Sequence, residues 1–164
     1  SKGCSHTSVY RHGLFRVGCD ELMGVVMWLP PTKPAAMSVN KDEWRKVLSL
    51  TRMAVKPDVP KNACSFMLSR SVKQIRRDGR FTSLVTYADE RQGHTGHVYR
   101  ASNWTFIGTM KGSPAWLDPE TGRQVATQAT KTRTKQQMLD LDYVMVGSFA
   151  KHKYVLHLHG QCPN

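Results

Sequence analysis

Hydrophobic spacing along the chain changes character several times. Val9–Val17 and Leu22–Leu29 are apolar-rich runs of strand length, joined at Gly18-Cys19-Asp20-Glu21, where Gly and Asp suit a tight hairpin turn. Pro30-Pro31-Thr32-Lys33-Pro34 ends the second run, because proline cannot donate to a ladder. Lys41–Leu50 places Trp44, Val47 and Leu48 at helical spacing behind Asn40 as a cap, which predicts a helix. Thr51–Lys56 (TRMAVK) is a short strand candidate, and residues 57–62 form a loop. From Ala63, Phe66, Met67, Val72 and Ile75 recur on one face of a predicted helix that Gly79 stops. A strand at 83–88, a helix from about Gly96 to Ser102 and a strand at Thr105–Met110 follow. The polar stretch from Gly112 to about Asp140 holds one predicted helix, Thr132–Leu139, and Tyr143–Val146 and Tyr154–Leu158 supply closing strands.

This order predicts an α/β (α+β) domain with a mixed sheet, taken as a single domain over 1–164 with a polar insertion at 112–141. Ligands of such sheets bind beyond the C-terminal ends of central strands. Two segments fall there: the loop at 57–65, and YADERQGHTGHVYRASNW at 87–104, which gathers two His, two Gly and an Asp after an apolar strand.

Composition narrows the function. The 164 residues carry 24 Lys and Arg against 12 Asp and Glu, a net charge of +12 that favours polyanionic partners, nucleic acid first. No run of eighteen apolar residues exists, so no membrane partner is expected. Cys4, Cys19, Cys64 and Cys162 are scattered without a C-x-x-C pair, which fits neither a zinc site nor a disulfide framework and suits the reducing cytoplasm.

The 57–65 loop has anion-binding chemistry. Lys61, Asn62, Ala63, Cys64 and Ser65 combine a cation with small residues at a predicted helix start, where unpartnered N–H groups meet the positive end of the dipole. An ordinary helix capped by Asn62 or Ser65 is the plainer reading of these residues taken alone. Likewise Asp89 serves as a base or as a helix cap, and Tyr99 as a proton donor or a half-buried aromatic. His94 and His97 sit at i, i+3, and His157-x-His159 would share one strand face; without a carboxylate or Cys to complete a set, no metal site is predicted.

The strand–loop–helix at 51–77 followed by strand–helix–strand at 83–110 is similar to the second half of the GNAT acyltransferase fold. More narrowly, YADERQGHTGHVYRASNW resembles the signature of the Mom family of phage DNA adenine-modifying proteins. LTRM at 50–53, VPKNACSFMLSR at 59–70 and AKHKYVLHL at 150–158 resemble it too. The resemblance implies a mostly antiparallel sheet with helices on both faces, and a family N-terminal segment lying upstream of Ser1. It implies conversion of the N6 amino group of adenine in duplex DNA to a methylcarbamoyl adenine, which shields phage DNA from restriction. Arg52, Ser65, Asp89 and Tyr99 carry over as functional positions, with Asp89 near the amine and Tyr99 protonating a departing thiolate.

An acyl-coenzyme A, acetyl-coenzyme A or a relative, is the implied cofactor, with its pyrophosphate in the 61–65 loop. Modifying a base in a duplex requires extruding it and holding it by stacking. Tyr87, Trp104 and Trp28 are candidate platforms, Trp28 being the best suited to the core, and His94 and Lys151 are candidate DNA contacts. Lys111, Arg123, Lys131, Arg133 and Lys135 make the 112–140 stretch a candidate phosphate-contacting insertion. Double-stranded DNA is thus the expected partner, in a host cytoplasm, and a homodimer is left open. Two other functions fit the same residues: an acetyltransferase acting on a protein or tRNA amine, and a basic DNA-binding protein without catalysis.

Overall fold

The inward-facing apolar residues Val26, Trp28, Leu48, Leu50 and Leu84 share the buried face of a six-stranded sheet. The computed structural model describes residues 9–89, 96–112 and 114–158. Strands β1 (Tyr10–Phe15), β2 (Leu22–Leu29), β3 (Val47–Val55), β4 (Ser83–Asp89), β5 (Thr105–Met110) and β8 (Lys151–His157) lie in the order β1-β2-β3-β4-β8-β5. β3 and β4 run parallel, and the remaining neighbours pair antiparallel. A separate hairpin sheet, β6 (Pro114–Leu117) with β7 (Val144–Ser148), lies between β5 and β8 in sequence.

Helices cover both faces. On one, α2 (Ala63–Asp78) and α3 (His97–Ala101) close the main core, where Met67, Leu68, Ile75 and Tyr99 meet Trp28, Leu84 and Tyr154. Fully burying each large side chain stabilises the fold by about 1.5–3 kcal/mol. On the other face α1 (Lys33–Met37) puts Ala36 against Val47, Val85 and Val155. Helices α4 (Thr127–Lys131) and α5 (Lys135–Asp140) complete the insertion.

Three expectations need correction. Lys41–Leu50 is not a helix: Trp44–Lys46 forms one 3-10 turn, and Val47–Leu50 opens β3. Those four residues are buried from both sides, and a strand covered on both faces reads as a continuous apolar run that helical spacing also fits. The proline run does more than end β2, since Pro34 sits in the first turn of α1, where a missing N–H costs nothing. Within the polar stretch, β6 and α4 join the helix that Thr134 opens with a capping box to Gln137.

Gly79 ends α2 as expected, at φ +65° with open space around it. A side chain there meets no neighbour but strains the left-handed backbone, so Gly79→Ala should cost about 1–2 kcal/mol. A urea midpoint equal to that of the unchanged protein would contradict this.

Candidate active site

The site begins with a break in the central pairing. β3 and β4 stay in register from Val47↔Ser83 to Leu50↔Thr86, where the parallel ladder ends although both strands continue. Beyond it, Arg52 to Val55 remain on β2, and Tyr87 to Asp89 remain on β8. The cause is Thr51. Trp28 faces Leu50 and Met27 faces Arg52, which leaves Thr51 as an extra residue, its Oγ1 donating to the Met27 carbonyl at 3.1 Å. A bulge bends its strand, and this one falls where the β3–β4 ladder stops, leaving a cleft edged by backbone.

Next to that cleft, α2 starts without a side-chain cap. Asn62 occupies the cap position with no side-chain hydrogen bond to the helix, and Ser65 Oγ donates back to the Asn62 carbonyl at 2.9 Å. Neither capping role open to Asn62 and Ser65 is therefore used. Lys61 and Asn62 are exposed, Ala63 is buried, and Cys64 is half-buried, its thiol pushed up by burial and so kept protonated. Beside this turn lies a cavity of about 400 Å³ with Leu14, Phe15, Met23, Pro60 and Phe66 in its wall, in the range of small-molecule sites.

Tyr99 reaches the apex of the cleft. Gly96, at φ +73°, sets the start of α3, and the ring of Tyr99 packs at 5.7 Å from Trp104 and 5.4 Å from Tyr154. Burial raises the phenol above its ordinary value of 10.0; the Thr86 hydroxyl bonded to it pulls the other way, and the Cys64 and Tyr154 groups add to the rise. Thr86 is also the last β4 residue paired with β3, so a protonated phenol sits where the strands part.

Asp89 ends β4 opposite Lys151 on β8, the carboxylate 4.0 Å from the ammonium. Side chains alternate along a strand, so Asp89 shares the α1 side with Val85, whereas Thr86 and Tyr99 belong to the α2 side. The same rule puts Arg52, beside the inward Met53, on the α1 side. Thus Arg52, Asp89 and Lys151 flank the cleft from one face, while Tyr99 and the 61–65 turn flank it from the other. A ligand in the gap would meet both sets.

Other expected residues fall differently. Trp104 is no exposed platform: it is 4% accessible and stacks on Trp28 at 6.3 Å and 18°. Tyr87 is half-buried against the α1-side cluster of Ala36, Val47, Val85 and Val155, its phenol raised by burial. Asp89 is not the cap of α3, a place held by Gly96. His94 and His159 lie outside the described residues, and His157 Nδ1 is hydrogen-bonded with Ser83 Oγ at 2.9 Å. Among the described residues no three His, Cys, Asp or Glu side chains group to hold a metal.

Sequence reasoning missed Thr86 and Thr51. Thr86 gave no signal, being one polar residue in an apolar strand. Thr51 did: inward residues Leu48, Leu50, Met53 and Val55 skip parity once, and a skip of one is how a bulge reads in a pattern of period two.

Comparison with known proteins accords with this geometry. The sequence model of the Mom protein family matches residues 1–163. Methylcarbamoylase mom of Escherichia phage Mu is 30% identical over 146 residues, covering 85% of this chain and 60% of the phage protein. The chain therefore spans under two thirds of the length of that relative. Among solved structures, yncA from Salmonella typhimurium, with its cofactor acetyl-CoA, matches at TM-score 0.54 and 12% identity over 88% of this chain and 62% of its own. The ribosomal-protein-S18-alanine N-acetyltransferase from Escherichia coli matches at TM-score 0.56 and 9% identity, over 98% and 76%. The mixed, mostly antiparallel sheet with helices on both faces is the GNAT acetyltransferase fold, as expected.

Proposed function

The chain belongs to the Mom protein family, and we propose that it is a transferase that places a methylcarbamoyl group on the N6 amine of adenine in duplex DNA. The observation that carries this reading is the β3–β4 cleft, with a protonated Tyr99 at its apex on one side and Asp89 on the other. The biological role that follows is protection of phage DNA from restriction in the host cytoplasm.

The residues fit an acyl-coenzyme A. A diphosphate would be held by the Cys64 and Ser65 N–H groups at the start of the 16-residue α2, the Ala63 N–H being bonded to the Pro60 carbonyl, with Lys61 beside it. The unpaired edge of β3 past Leu50 offers backbone donors and acceptors to an amide-bearing arm. When bound, such a donor supplies a carbon activated as a thioester.

The chain's own residues manage protons and position. An exocyclic adenine amine is a poor nucleophile, because its lone pair is delocalised into the ring, and a proton must leave as it attacks. Asp89 accepts that N6 proton, and Lys151, set against the carboxylate, adds positive charge where a DNA phosphate approaches. Tyr99 gives its phenolic proton to the departing sulfur from a site where burial keeps it neutral. Arg52, on the Asp89 side, orients the base. A methylcarbamoyl group contains a nitrogen that an acetyl group lacks, so a nitrogen-bearing reactant takes part as well.

Mass spectrometry of nucleosides from plasmid DNA co-expressed with the full-length protein tests the proposal. A modified deoxyadenosine absent from the vector control is expected. Deoxyadenosine left wholly unmodified would sink the reading.

A further inference from the structure

The insertion between β5 and β8 has features that the cleft chemistry does not use. Lys151 is the partner of both Asp89 and Met110. The ends of β4 and β5 and the start of β8 thus lie in one row, and the chain leaving β5 and returning into β8 rises beside Asp89. Its two legs are drawn together at the base. Ser148 Oγ donates to the Gly112 carbonyl at 2.5 Å, and a Cβ on Gly112 would overlap the Phe149 backbone.

This segment is a folded unit. Ala115, Trp116 and Met138 are buried within it, β6 pairs with β7, and the Thr134–Gln137 capping box starts α5. Its pocket of about 230 Å³, smaller than most whole-cofactor sites, has Trp116, Met138 and Met145 among its walls. Lys131, Arg133 and Lys135 line the same pocket, and no carboxylate does so among the described residues. The ion pairs among those residues use Arg16, Lys46, Lys56 and Lys151 instead. Three cations within five positions, outside those ion pairs and beside an apolar surface, favour an anionic ligand. A phosphodiester has the charge that such a seat suits.

We propose that Lys131, Arg133 and Lys135 bind the DNA backbone next to the adenine being modified, making the insertion a clamp that sets the duplex across the cleft. This rests on the DNA reading above. Phosphate contacts of this kind fix position and register without reading sequence. They also release counterions, which makes them measurable by salt dependence.

The test is fluorescence anisotropy of a labelled duplex with the full-length protein over a series of salt concentrations. The triple variant Lys131→Ala, Arg133→Ala, Lys135→Ala is compared with Lys73→Ala, Arg76→Ala, Arg77→Ala, which removes equal charge from the exposed face of α2. The insertion variant should lower the slope of log affinity against log salt by about 2–3, at about 0.9 per lost phosphate contact, and weaken binding about tenfold or more at physiological salt. The α2 variant should keep a slope near that of the unchanged protein, and both should melt with it. An unchanged slope in the insertion variant, or an equal fall in both, overturns the clamp. Modified adenine with no slope change removes the clamp and leaves the enzyme reading intact. A lowered slope in the insertion variant alone, in a protein that leaves adenine unmodified, does the reverse.

Discussion

Replacing Tyr99 with phenylalanine is expected to slow adenine modification by about 10²- to 10⁴-fold, the usual contribution of a positioned proton donor, and to leave the fold standing. The ring keeps its contacts with Trp104 and Tyr154, so the substitution removes one hydroxyl and little packing. What remains behind is the buried Thr86 hydroxyl without that partner, a loss of about 1 kcal/mol. The pH profile carries a second signature. Burial holds the phenol above its ordinary value of 10.0, so the donor stays protonated throughout the neutral range. An alkaline loss of rate that belongs to Tyr99 therefore lies above pH 10.0, and the phenylalanine variant lacks it.

Stability follows the same sign. Because the folded-state value is raised, the fold favours the neutral phenol; that contribution is complete below the unfolded value and is lost as pH climbs through the folded one. Single-turnover rates across pH, with duplex affinity measured beside them, decide the matter. A phenylalanine variant within roughly threefold of the unchanged rate would end the role of Tyr99 as proton donor.

Trp104→Ala should act on the fold. The ring is buried, stacked on Trp28 with Tyr99 tilted against it, and truncating such a side chain costs about 3–5 kcal/mol. That is a large share of the ~5–15 kcal/mol by which domains are stable. Denaturant unfolding should show a much lower midpoint. If the midpoint holds and only duplex affinity falls, Trp104 meets DNA after all and the core assignment fails.

Local pattern carried the outline of this molecule. α2 was legible because it has one clear period and a clear stop at Gly79, and β2, β4 and β5 because each is a short apolar run set off by turn or polar residues. The misreading at Lys41–Leu50 came from a strand buried on two sides, whose run of Val47, Leu48 and Leu50 has no alternation to betray it. Trp104 looked available because its partner, Trp28, lies far away in the chain. Family likeness selected Asp89 and Tyr99, but their arrival from opposite faces follows from strand pairing, which no short stretch contains. Short strands such as Pro114–Leu117 escape notice because four residues hold too few repeats to show a period.

The bulge at Thr51 has a genetic corollary. Inward positions on β3 fall out of phase once, at that residue, so the aperture of the site corresponds to a single codon. Removing it in frame would bring Leu48, Leu50, Met53 and Val55 into one unbroken alternation, with Arg52 still outward. The strand could then run straight along β4 past Thr86, closing the gap by backbone pairing. A gene lineage can thus pass between a seamless sheet and a ligand-ready one by one three-nucleotide event, with every other inward residue keeping its place.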